Sequence, residues 1–343
     1  MGQLAPFTDS GNEHGRRGDF CTDDPSLYEV QSLPWEIMAS PLDRQPFGHW
    51  KQYLVTPSVI VYEEGFTSHV RVCGLSPADR LALCLPLRLG RRTTYWNAPP
   101  RSDGVPATMP GGVEAVFDSG EVHLMLLIDL DLLRRTLPPE LASRLEDAGS
   151  NRFVSAAHAA VNNLTHWLCE VLDETARHPE ATAYSAAVRA FEDELLDRLA
   201  RTVQLAEPSR TRPNVSLRRQ GLDRALDFLR AADDAASISV PELCAAAGVS
   251  QRTLEYAFRE TFGTTPLGFL RQRRLHAARH ELLVTHHGAT TVGDIAYRAG
   301  FLELGRFATT YRRLFGEAPS QTLRRDGSRE PVAKHSLLWQ RQS

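Results

Sequence analysis

The chain has 343 residues, 42% hydrophobic and 24% charged, enough to bury a sizeable core and to build two or three domains. No run approaches the ~18 to 20 uninterrupted apolar residues of a spanning helix. Met1 to Asp19 is polar and lacks an apolar h-region, so residues 1–20 are expected to be a disordered lead-in, not a signal peptide, to a chain that reads as cytoplasmic with no membrane partner. The net charge of −3 hides a split: Arg210 to Arg325 holds 18 Arg and no Lys against 11 acidic residues, a net of +7 that leaves −10 elsewhere. Such a division directs any polyanionic partner to the basic end, although solvated Arg-rich helices would give the same count.

From Tyr53 to about Leu130 the pattern is short and strand-like. Tyr53-Leu54-Val55, Val59 to Tyr62, Val70-Arg71-Val72, Leu81 to Leu85, Ala115 to Phe117 and Val122 to Ile128 cluster β-branched and aromatic residues. Glu64-Gly65, Ser76-Pro77, Gly90, Ser102-Asp103-Gly104 and Gly111-Gly112 punctuate them, which argues for a sandwich or small barrel. His49, His69 and His123 stand alone in sequence, and an isolated His is more often structural than a ligand, so no metal is assigned. Trp50, Tyr53, Tyr62, Tyr95 and Trp96 suit either a pocket wall or a core. The five cysteines, Cys21, Cys73, Cys84, Cys169 and Cys244, form no CxxC pair and read as reduced, mostly structural thiols.

Helical periodicity begins after Asp129 and is expected over 151–206. Val154, Ala157, Val161, Leu164, Leu168 and Val171 make one apolar stripe, and Val188, Phe191, Leu195, Leu199 and Val203 a second. Arg177-His178-Pro179 separates them into an αα-hairpin, available for core packing or dimerisation. Residues 21–206 thus form one domain, 207–215 (Glu207 to Val215, with Pro208 and Pro213) an exposed linker, 216–325 a second domain and 326–343 a tail.

The second domain repeats itself. Val240-Pro-Glu-Leu-Cys-Ala-Ala-Ala-Gly-Val249 aligns with Val292-Gly-Asp-Ile-Ala-Tyr-Arg-Ala-Gly-Phe301, and Phe258 to Pro266 aligns with Tyr311 to Pro319. Each copy has the form of a helix-turn-helix: a short helix (Pro241 to Ala247 in the first), a glycine stop at Gly248 or Gly300, a plug at Val249 or Phe301, and a second helix beginning near Ser250 or Leu302. Leu254, Phe258 and Phe262, and Phe307, Tyr311 and Phe315, are the inward faces, which frees the opposite faces for a major groove. Pro266 to Leu283 reads as one joining helix, with Arg271, Arg273, Arg274 and Arg279 off its apolar face. The His286-His287 pair that follows reads as solvent-exposed.

Two units about 52 residues apart, the joining helix and the run Gly-Phe-x5-Phe-x3-Tyr-x3-Phe-Gly-x2-Pro (Gly300 to Pro319) resemble the AraC/XylS family of bacterial transcription regulators over Ser216 to Arg325. Leu304-Gly305-Arg306-Phe307 and the order of the whole chain are most similar to regulators of ethanolamine-utilisation operons. The resemblance implies an α+β protein: a cupin-like β-barrel or sandwich sensor with its αα-hairpin, then an all-α domain with two helix-turn-helix units. It implies base contacts at Arg252, Thr253, Glu255 and Tyr256 in the first unit and at Glu303, Leu304, Gly305, Arg306, Ala308 and Thr309 in the second. Arg252 suits guanine O6 and N7, and Glu255 suits a cytosine amine or a brace on Arg252. Arg259, Arg312 and Arg313 are placed for phosphates. Leu304 and Gly305 depart from the polar residues usual there, so the second unit is expected to read fewer bases. The implied partners are double-stranded DNA, a small-molecule effector, RNA polymerase and a second copy of the chain, with no cofactor and no catalytic residue. Two other readings stay open: a DNA-binding enzyme with a reactive Cys, and an interaction adaptor that has kept the scaffold.

Overall fold

The computed structural model describes residues 14–204, 217–232, 238–285 and 290–324; the linker, the His286-His287 pair and the tail lie outside the described residues. Eleven strands are described: β1 Arg16–Thr22, β2 Glu36–Pro41, β3 His49–Val55, β4 Val59–Phe66, β5 Val70–Leu75, β6 Arg80–Arg88, β7 Thr94–Tyr95, β8 Gly104–Thr108, β9 Gly112–Phe117, β10 Val122–Asp129 and β11 Phe153–Ser155. They form two antiparallel sheets, β1-β3-β4-β10-β6-β8-β11 and β2-β5-β9-β7.

Strand periodicity shows how one sequence feeds three layers. In β4, Val59 and Val61 face one core while Ile60 and Tyr62 face another; β6 and β10 divide likewise, Leu83 and Leu126 from Cys84 and Met125. The first core lies between the seven-stranded sheet and the helices α2 Leu130–Thr136, α3 Pro139–Ser150, α4 His158–Arg177 and α5 Ser185–Gln204. The second fills the space between the sheets and is aromatic: α1 (Pro25–Val30) adds Tyr28, which meets Phe66 edge-on with ring centroids 5.5 Å apart. Strands β2 and β5 then turn Met38, Cys73 and Leu75 outward into a third core shared with the C-terminal helices.

Those helices are α6 Leu217–Ala231, α7 Val240–Ala247, α8 Gln251–Phe262, α9 Pro266–Val284, α10 Val292–Arg298, α11 Leu304–Phe315 and α12 Pro319–Leu323. The third core joins α6, α7, α8 and the start of α9, and a fourth joins the rest of α9 to α10, α11 and α12.

Several expectations need correction. β1 begins at Arg16, inside the expected disordered lead-in, because its backbone completes the edge of the large sheet against β3. Val154 lies in a strand and Ala157 is a cap, so the first hairpin helix starts only at His158. Helix α11 starts at Leu304, with Glu303 as a cap lacking a side-chain bond, two residues later than expected from Leu302. The two domains are also not held apart. A β-carbon on Gly112 of the small sheet would lie 2.6 Å from the Phe262 ring, so only glycine permits that approach.

Candidate nucleic-acid interface

Each unit is set by local chemistry. Ser239 and Thr291 form capping boxes with Glu242 and Asp294, which start α7 and α10. Gly248 (φ 63°) and Gly300 (φ 78°) take the left-handed turn that aims the next helix. Ser250 caps α8 by accepting from Thr253 N at 3.2 Å. Leu254, Phe258, Phe262, Phe307 and Tyr311 are buried and Phe315 half-buried, as their inward assignment requires. α9 is a single helix of 19 residues, about 28 Å long, that enters both cores.

On α8, Arg252, Tyr256 and Arg259 are exposed while Thr253 and Glu255 are half-buried. Arg252 Nη2 donates to Tyr256 Oη at 3.4 Å, and its guanidinium lies 5.7 Å from that ring's centroid. Glu255 does not brace Arg252. It accepts from Gln251 Nε2 at 3.1 Å and lies 4.0 Å from Arg259, so Tyr256 supplies the brace. Thr253 is partly spent on the cap, its hydroxyl 2.9 Å from that of Ser250. Exposed Gln251 and Arg218 carry no assignment from sequence; the Arg218 guanidinium also lies 6.0 Å from the Tyr256 ring centroid, and only the fold brings α6 there.

On α11, Glu303, Leu304, Gly305, Arg306, Thr309, Arg312 and Arg313 are exposed and Ala308 is half-buried. Thr309 turns its hydroxyl back to Gly305 O at 2.8 Å, which spends its donor. Leu302 is 82% exposed beside Leu304 at 52%, so the leading edge of this helix is apolar.

The joining-helix arginines are structural. Arg271 donates to Thr310 Oγ1 (2.7 Å), Arg273 to Leu229 O (3.4 Å) and Arg274 to Ile238 O (2.7 Å). Arg279, 3% exposed, binds Ser26 Oγ at 2.7 Å, Asp24 at 3.3 Å and Glu317 at 2.7 Å, tying the front domain to the second unit. The +7 charge therefore overstates what is free for a polyanion.

His49 and His123 prove not to be isolated. Their Nε2 atoms meet Glu64 at 2.9 and 3.1 Å, and Lys51 lies 3.4 Å from the same carboxylate. Burial pushes the Glu64 carboxyl up, but Lys51 and the two imidazoles outweigh it and hold it well below the usual range. Among the described residues, no group of three or more His, Cys, Asp or Glu is placed to hold a metal ion, and no helix is long and apolar enough to cross a membrane.

Two helix-turn-helix units on one joining helix, each with the free face of its second helix outward, have the arrangement of a DNA-binding domain. A family model described as "Helix-turn-helix domain" matches residues 243–325. A probable thc operon regulatory protein of Rhodococcus erythropolis is 31% identical over 58% of this chain and 61% of its own length. A XylDLEGF operon transcriptional activator of Pseudomonas putida is 32% identical over 47% of each chain. A solved structure, a probable AraC family transcriptional regulator from Rhodopseudomonas palustris, is 34% identical over 31% of this chain and 95% of that one, with a TM-score of 0.28. The chain thus spans about half to three-fifths of these curated relatives. Residues 243–325 thus match a helix-turn-helix domain.

Proposed function

We propose that the chain is a sequence-specific transcription regulator, an effector-responsive activator rather than an enzyme. Its two units would lie in adjacent major grooves about one DNA turn (~34 Å) apart. The observation that carries this reading is the outward polar face of α8, where Arg252 is stacked on Tyr256 and free of any carboxylate among the described residues. Arg252, Thr253, Glu255, Tyr256, Glu303, Leu304, Gly305, Arg306, Ala308 and Thr309 are the proposed base-facing set, and Arg259, Arg312 and Arg313 the phosphate set. RNA polymerase and a second copy of the chain are the proposed protein partners. The hairpin α4–α5 also serves the first core, so dimerisation would use its outer face.

A reactive-Cys enzyme is disfavoured because burial pushes the Cys73 thiol up to about 11 and raises Cys84 further. Leu304-Gly305-Arg306-Phe307 and the order of the chain support an ethanolamine-operon regulator within the family, which the genes flanking its own would test. DNA binding is tested by a mobility-shift assay on the upstream region of the gene. A retarded complex that weakens with salt is expected, and no shift at low salt would refute the reading.

A further inference from the structure

Between the two sheets lies a pocket of about 80 Å³ with a mainly aromatic and aliphatic wall. Tyr62, Tyr95 and Trp96 line it, whereas Trp50 and Tyr53 do not. The carboxylates on its wall belong to Glu64 and Glu114, each 2% exposed; His123, bonded to Glu64, lines it as well, and no Lys or Arg does. The Lys51 that pairs with Glu64 sits behind the wall, and burial lowers the His49 imidazole to about 4, so it stays neutral. The nearest cations, Lys51 and Arg71, are already paired with these carboxylates, so an anionic ligand would meet no Lys or Arg on the wall, while an N–H or O–H donor would find acceptors.

The Glu114 end of the pocket is also a joint between domains. Glu114 accepts from Arg71 Nε at 3.0 Å and from Asn97 N at 3.1 Å. Arg71 Nη2 in turn donates to Phe262 O. Beside it the Trp96 ring faces the Arg152 guanidinium, 5.1 Å from the ring centroid, and Arg152 Nη2 donates to Thr261 Oγ1 at 2.7 Å. Thr261 and Phe262 are the last two residues of α8, the first recognition helix. Trp96 (φ 48°), Asn97 (φ 61°) and Arg152 (φ 65°) all hold left-handed backbone that side-chain-bearing residues seldom adopt.

We propose that this pocket is the effector site, that it takes a small planar ligand bearing an N–H or O–H donor and rejects carboxylates, and that the donor's bond to Glu114 loosens the hold of Arg71 and Arg152 on the end of α8. The inference rests on the effector-responsive reading above. A benzene-sized ligand occupies a cavity of ~150 Å³, so the pocket must widen to admit one. The Trp96–Asn97 turn, held away from its backbone minimum, is the wall that yields.

The test uses the full chain and fluorine NMR with 4-fluorophenol, 4-fluorobenzylamine and 4-fluorobenzoate. The first two should broaden and shift with dissociation constants of roughly millimolar or tighter, and the benzoate should not. Glu114→Gln should weaken both donors about tenfold, the loss of one hydrogen bond to a charged acceptor. If that variant fails to fold, Ala82→Met, which fills the pocket, should abolish binding instead. Saturating 4-fluorophenol should change affinity for a selected duplex by about 5- to 150-fold, and Arg71→Lys should remove that response. Equal or tighter binding of the benzoate, or no binding of either donor, overturns the ligand class. An unchanged duplex affinity with 4-fluorophenol bound overturns the relay. A protein that binds no duplex without any probe refutes the DNA-binding reading instead, and the probe selectivity still reads the pocket independently.

Discussion

Replacing Arg252 with Ala separates base reading from backbone positioning. The guanidinium is exposed, lies 5.7 Å from the Tyr256 ring centroid and donates to its hydroxyl at 3.4 Å. No ion pair among the described residues has to be broken when it meets DNA. A bidentate bond to guanine O6 and N7 is worth about 1–3 kcal/mol of discrimination, or about 5- to 150-fold in the preference for the selected site. Arg259, Arg312 and Arg313 differ in kind. Removing any one should weaken all sequences alike and lower the slope of log K against log salt by about 0.9. The assay is selection from a randomised duplex pool, then anisotropy titrations of the selected and a scrambled duplex at several salt concentrations. If Arg252→Ala weakens both duplexes equally and changes the slope by about one, Arg252 contacts phosphate and the assignment fails.

Gly305→Ala should stabilise α11 by about 0.5–1 kcal/mol, since a β-carbon there meets open space; slower hydrogen exchange in α11 checks it, and faster exchange counts against it. Glu192 on α5 accepts from Thr56 Oγ1 at 2.5 Å and Ser58 N at 3.1 Å, so Glu192→Ala should cost about 3 kcal/mol in urea unfolding, with a loss under about 1 kcal/mol contradicting this. His49 takes a proton near 6.5 when unfolded but only near 4 in the fold, mainly because it is buried. Its stabilisation is therefore complete above pH 6.5 and lost as the pH falls towards 4, at most about 3 kcal/mol; Glu64, also held low, adds a loss of the same sign below its ordinary value. Denaturant midpoints that stay flat over that window would refute the burial argument. Partly exposed Cys21, Cys169 and Cys244 should react with a thiol reagent before Cys73 and Cys84, which wait on unfolding; fast labelling of Cys84 would reopen the nucleophile reading.

The helix-turn-helix units were legible because their signals are local. A cap at Ser250, left-handed turns at Gly248 and Gly300 and apolar spacing along α8 and α11 each act within a few residues. The strands were legible in place but not in partnership. β4, β6 and β10 are buried on both faces, so their near-continuous apolar runs do not say which face meets which core. The pairing of His49 and His123 on Glu64 is a cross-strand relation, since β3 and β10 both flank β4. Helicity after Asp129 was legible, but α2 and α3 were not delimited as separate helices, because Pro138 and a charged composition between Leu130 and Ser150 obscure their periodicity.

The structure also gives the proposed inequality of the two units a physical basis. Sequence separated them by the polarity of their exposed faces, Arg252 and Tyr256 against Leu304 and Gly305. Packing separates them again. The core behind α8 contains Met38, Cys73 and Leu75 of the front domain, whereas the core behind α11 contains no front-domain residue among the described residues. The first reader is thus fused to the small sheet, and that sheet is one wall of the pocket. The second unit meets the front domain where α11 approaches β2 and through polar contacts from α9, chiefly Arg279 to Asp24 and Ser26 and His276, 2.7 Å from Glu29. Burial of apolar surface is non-directional and resists small shifts, while charged bonds depend steeply on distance and can be exchanged for water or phosphate. A change at the sheet therefore reaches α8 through a shared apolar core, whereas α11 touches β2 without sharing one and is otherwise linked to the front domain through α9. The helix best equipped to read bases is the one most tightly joined to the front domain.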